Sequence, residues 1–120
     1  MTTIRGALAA LALTLLLSPG AALAHAIVVA SNPEPRQTVK GPDISVEIRF
    51  NSRIDLERSR LTLKRPDGSS VILPLQGGET GDMLRSGASG LTEGSHTLLW
   101  QTLSVDGHIT HGVIPFEVSR

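Results

Sequence analysis

Between Ile44 and Phe50 every second residue is apolar: Ile44, Val46, Ile48 and Phe50 alternate with Ser45, Glu47 and Arg49. Successive side chains of an extended chain point to opposite faces, so this pattern buries one face of a strand and wets the other. Period two recurs along most of the chain. Further strands are expected at Ala26 to Ala30, Arg60 to Lys64, Val71 to Leu75, Met83 to Ser86, Ser95 to Leu103 and Gly112 to Val118. Between them lie turn signals such as Pro66-Asp67-Gly68-Ser69, Gly77-Gly78 and Glu93-Gly94. About seven short strands without a helical pattern predict an all-β fold, an antiparallel β-sandwich of Greek-key, immunoglobulin-like or cupredoxin-like type.

The beginning of the chain follows another rule. Arg5 supplies a positive charge, Ala7 to Leu17 an apolar run, and Ala22-Leu23-Ala24 a small-x-small triplet. This is the pattern of a secretory signal. A membrane span needs about 20 consecutive apolar residues, and Ser18, Pro19 and Gly20 interrupt this run too early. The expected organisation is a signal peptide at 1–24, a helix removed by cleavage, followed by one domain at 25–120 working outside the cytoplasm. Taking 24 residues from 120 leaves 96, the size of one domain. No later run is long enough to cross a bilayer, so the mature protein is not expected to be embedded in a membrane.

Within that domain, Pro33, Pro35 and Pro42 predict an irregular crossing after the first strand, since proline cannot donate to a central ladder. Trp100, in phase with Leu98 and Thr102, is expected in mid-core with Phe50 and Phe116. The glycine-rich stretch "GGETGDMLRSGASG" lacks the lysine of a phosphate loop and reads as a connection between strands.

Cysteine is absent, which removes disulfides and thiolate chemistry. Lys and Arg balance Asp and Glu at 11 each, and loss of Arg5 with the signal leaves 10 against 11. With no basic excess and only three aromatic rings, the chain lacks the charge and stacking platforms that nucleic-acid binders use. Candidate chemistry therefore rests on four histidines and the carboxylates.

Cleavage after Ala24 would make His25 the first residue, giving one residue both an α-amine and an imidazole. In "SVDGHITHG", Asp106 and His108 are two apart and would share a face of an extended segment, whereas His111 has the opposite parity. His25, Asp106 and His108 together offer three nitrogens and an oxygen without sulfur. That donor set suits Cu(II) first and Zn(II) next. The same Asp-Gly-His triplet is also a good turn, with Asp bonding its own backbone and Gly supplying a positive φ. His96 reads as a strand or core-edge histidine, and His111 as an exposed strand residue or a group behind a ligand. Ser104, Asp106 and His108 form no triad, since no oxyanion hole is apparent.

The sequence resembles the CopC domain, a periplasmic copper-binding β-sandwich of copper resistance and uptake operons. The resemblance rests on "HAIVVASNPEP", on "ISVEIRFNSRI" and above all on "GSHTLLWQTLSVDGHITHGVIPFEV". It implies a Cu(II) site built from the amine and imidazole of a mature N-terminal histidine with the aspartate and histidine of the D-G-H segment, here His25, Asp106 and His108. Some members add a Cu(I) site from a methionine-rich loop. Met83 stands alone here, so one Cu(II) ion and no Cu(I) site are expected. "PEPRQ" departs from the family pattern in the crossing loop and touches no ligand. The family often works beside a CopD-like inner-membrane copper transporter, a possible partner.

The expected function is thus Cu(II) storage, buffering or transfer in copper homeostasis, without turnover. Two alternatives remain. One is a copper monooxygenase resembling the lytic polysaccharide enzymes, whose broad binding face 96 residues leave little room for. The other is a metal-free immunoglobulin-like interaction module in which D-G-H is only a turn.

Overall fold

The computed structural model describes residues 26–120. The expected signal segment and His25 lie outside the described residues. Nine strands follow in order: β1 (Val28–Asn32), β2 (Thr38–Lys40), β3 (Ile44–Phe50), β4 (Ile54–Lys64), β5 (Ser70–Leu73), β6 (Gln76–Gly77), β7 (Met83–Ala88), β8 (Gly94–Ser104) and β9 (Ile109–Ser119). They form two sheets, one in the order β1-β3-β7-β6 and the other in the order β2-β9-β8-β4-β5. The β1–β2, β2–β3, β3–β4, β5–β6 and β7–β8 connections each pass from one sheet to the other, so the chain laces the two layers together.

The alternation explains the core. In β3, Val46, Ile48 and Phe50 are buried while Ser45 and Arg49 face outward. In β8, Leu98, Trp100 and Thr102 are buried in the same phase as His96. Ile114, Phe116 and Val118 of β9 and Leu61 and Leu63 of β4 complete the facing wall. Phe50 of one sheet meets Trp100 of the other edge to face, with ring centroids 5.1 Å apart and planes at 70°. Such a contact adds about 0.5 to 1.5 kcal/mol beyond the area the rings bury. The three aromatic rings occupy the core as their parity predicts.

Two strands were not expected. β2 lies within the proline-rich crossing and pairs in parallel with the end of β9, Val39 opposite Val118, so the sandwich is not purely antiparallel. β6 is a two-residue strand paired with β7. The glycine-rich stretch is only partly a loop, because Met83–Ala88 form β7, which pairs with β3 along its length. β1 begins two residues later than expected. Val28 pairs with Phe50 and Ala30 with Arg49, so Val29 is an extra residue in the ladder, a β-bulge.

Candidate metal site

The site is built on the β8–β9 hairpin. The two strands pair from Gly94↔Val118 to Leu103↔Ile109, and Ser104 to His108 turn the chain. Gly107 N–H donates to Ser104 C=O at 2.9 Å, and Ser104 N–H donates to His108 C=O at 2.8 Å. Gly107 has φ 91°, a conformation that favours glycine. A turn bond across Val105 and Asp106 followed by a positive-φ glycine is the three-residue hairpin loop with a glycine bulge.

This loop brings Asp106 and His108 together. Asp106 Oδ1 lies 3.2 Å from His108 Nδ1 and accepts the His108 backbone N–H at 3.3 Å. The expectation that these side chains meet agrees with the geometry, but the reason given for it does not. They converge because the chain turns, with the aspartate bonding two residues ahead, and not because an extended segment puts them on one face. The turn and the candidate ligand pair are the same feature.

Desolvation pushes the Asp106 carboxyl upward, but hydrogen bonds from the His108 side chain and backbone, together with the His108 charge, outweigh it and hold the group below its ordinary value. The carboxylate is therefore ionised at neutral pH and ready to accept a cation. Nitrogen and oxygen donors bind a first-row divalent ion at about 2 Å, so two neighbouring donors on one ion lie about 3 Å apart. The observed 3.2 Å is a hydrogen-bond distance, and these two atoms can share a metal ion only once the imidazole nitrogen gives up its proton.

The other histidines stand apart from this pair. His96 is 1% exposed, stacks on Phe116 at 5.5 Å between centroids, and has Nδ1 3.0 Å from Gly94 C=O. It is a core histidine. His111, opposite Gln101 on β9, is exposed on the outer face of the sheet. Met83 is buried, and its side chain packs at Gly78. Among the described residues no group of three or more His, Cys, Asp or Glu could hold a metal. Asp106 and His108 are the two candidate donors brought together at this turn.

Several segments gather at the same end of the sandwich. Ser104 pairs with Ile54, the first residue of β4. Ile54 N–H donates to Gly81 C=O at 3.0 Å. In the β3–β4 connection, Asn51 N–H donates to Ile27 C=O at 2.9 Å, and Asn51 Oδ1 accepts Ile27 N–H at 2.9 Å. Ala26, directly before, is buried in the core. Beneath the turn the hydroxyls of Thr102, Ser104 and Thr110 are buried without hydrogen-bond partners. Asn51 escapes sequence reasoning because its partner is 24 residues away. The only local hint is an Asn-Ser pair directly after a strand that ends in Phe50.

Residues 28–119 match the family described as the CopC domain. The chain belongs to the CopC domain family. CopC from Methylosinus trichosporium OB3b is 26% identical, with a TM-score of 0.73 over 79% of this chain and 94% of that one. PcoC, a methionine-rich copper resistance protein from Escherichia coli, is 20% identical, with a TM-score of 0.64 over 80% of this chain and 100% of its own. The Lin-41 filamin domain shares the fold at 16% identity and a TM-score of 0.55, over 79% of this chain and 92% of that one. No protein of curated function matches the sequence. CopC-domain proteins bind copper and are not enzymes. No helix among the described residues is long and apolar enough to cross a membrane.

Proposed function

We propose that this CopC-domain chain is a periplasmic Cu(II)-binding protein of copper resistance and homeostasis. It holds one ion through the α-amine and imidazole of His25, the Asp106 carboxylate and the His108 imidazole. The observation that carries the reading is the Asp106–His108 pair, fixed 3.2 Å apart at the end of the sandwich where Ala26 enters the core. Removal of residues 1–24 by signal peptidase creates the amine donor, so maturation completes the site. Met83 is a single thioether and offers no set of sulfurs for Cu(I).

Binding is reversible ligation, which suits storage, buffering or transfer, and a CopD-like inner-membrane transporter is the natural recipient. Protons compete with the metal, because a free α-amine titrates at about 7.7 to 8.0 and imidazoles at about 6.5, and both must be unprotonated to ligate. Affinity therefore falls as pH drops through this range.

The reading is tested by titrating Cu(II), against a competing chelator, into the mature protein and its Asp106→Ala and His108→Ala variants. Each variant should lose at least about tenfold in affinity, the low end for losing an outer-shell partner of a metal site. Wild-type affinity in both would remove the turn from the site.

A further inference from the structure

The residue that ties the start of the domain to the metal end is Asn51. Its backbone N–H and its side-chain oxygen hold the C=O and the N–H of the same residue, Ile27, each at 2.9 Å. The two bonds close a ring that fixes both peptide groups of Ile27, two residues beyond His25. A single bond would leave the backbone free to swivel, whereas a pair on one residue fixes its position and direction.

The bulge at Val29 sets the phase in which this anchored segment runs. Ser31 and Pro33 turn inward beyond the bulge, and Ala26 and Val28 turn inward before it. In an unbroken two-residue alternation Ile27 and Val29 would face the core instead. The extra residue thus exposes Ile27 and seats Ala26 at 1% exposure. Bulges re-aim side chains in this way beside functional sites. Asn51 stands three residues before Ile54, the partner of Ser104 at the base of the Asp106–His108 turn. The anchor and the turn therefore hang on one short connection.

We infer that Asn51 is a positioning residue for copper: by clamping Ile27 it holds the mature N-terminus where its amine and imidazole meet Asp106 and His108. This rests on the ligand set proposed above. Asn51 itself ligates nothing. Its contribution is to order the N-terminal donors before the metal arrives, which lowers the entropy lost on binding.

The test uses mature protein beginning at His25, with Asn51→Ala and Asn51→Asp. Asn51→Ala removes the side-chain acceptor, and Asn51→Asp keeps an oxygen for the Ile27 amide. Amide hydrogen exchange of the copper-free proteins should show Ile27 losing protection in Asn51→Ala and regaining it in Asn51→Asp. Competitive Cu(II) titration should show Asn51→Ala weakened by about twofold to tenfold, the range of one hydrogen bond, with affinity recovered in Asn51→Asp. A lowered melting temperature in Asn51→Ala with Ile27 protection and copper affinity unchanged would show a merely structural residue and overturn the inference. Wild-type protein that binds no Cu(II) overturns the ligand set and this role together, whereas wild-type binding matched by Asn51→Ala overturns the role alone.

Discussion

Gly112 of β9 lies directly opposite Trp100 of β8, and a Cβ at position 112 would stand 2.6 Å from the indole ring. The ring lies over the glycine because no side chain is there to hold it off. From that position it reaches across the core to Phe50.

Gly112→Ala should therefore shift the one tryptophan out of its place. Overpacking of this kind costs about 1 to 3 kcal/mol. The loss is read from the urea midpoint followed by Trp100 fluorescence, with a changed emission maximum in the folded state. A wild-type midpoint and spectrum would mean that the ring has room to spare.

The turn makes a separate prediction. Gly107 adopts φ 91°, where a Cβ costs about 1 to 2 kcal/mol. Nothing lies within 4 Å of a Cβ built there, so the cost of Gly107→Ala is backbone strain alone. Stability in chemical denaturation should fall by that amount. Cu(II) affinity should fall with it, because the turn holds Asp106 against His108. Loss of stability with unchanged affinity would separate the pair's geometry from the turn.

How much of this was legible in the residues depends on the range of the interaction involved. The alternation in β3 and β8 is local, and it places Phe50, Trp100 and Phe116 in the core correctly. β2 is only three residues long, and its partner is the far end of β9, so no local pattern announces it. The Val29 bulge moves β1 relative to the expected Ala26 to Ala30, because register is fixed by the partner strand and by Asn51. Asp106 and His108 are identifiable as chemistry-bearing residues, and the Asp-Gly-His triplet reads correctly as a turn with the aspartate on its own backbone and a positive-φ glycine; that this turn also brings the two side chains together shows only in the structure. Their neighbours Thr102, Ser104 and Thr110 read as ordinary strand residues, and their unpartnered hydroxyls become visible only once the sheets are packed.

The Asp106 carboxyl sets an acid limb. Its folded value lies below its ordinary one. Its contribution to stability is therefore present above the ordinary carboxylate value of about 3.9 and is lost as pH falls through the lower folded value. Both side chains of the pair are more than a third exposed, so the contribution is small. In copper-free protein, Asp106→Asn should flatten the decline in stability below about pH 4 and change little at pH 7. Urea midpoints measured across pH 2.5 to 7 check this, and an unchanged acid limb would contradict it.

One measurement tests whether the cut after Ala24 makes a ligand of His25. Cu(II) is titrated into protein beginning at His25 and into the same protein carrying one extra residue before it, with EPR spectra recorded on both. The extension alone should weaken binding and change the Cu(II) spectrum, since the amine becomes a peptide nitrogen while every side chain stays. Identical affinity and identical spectra would contradict it.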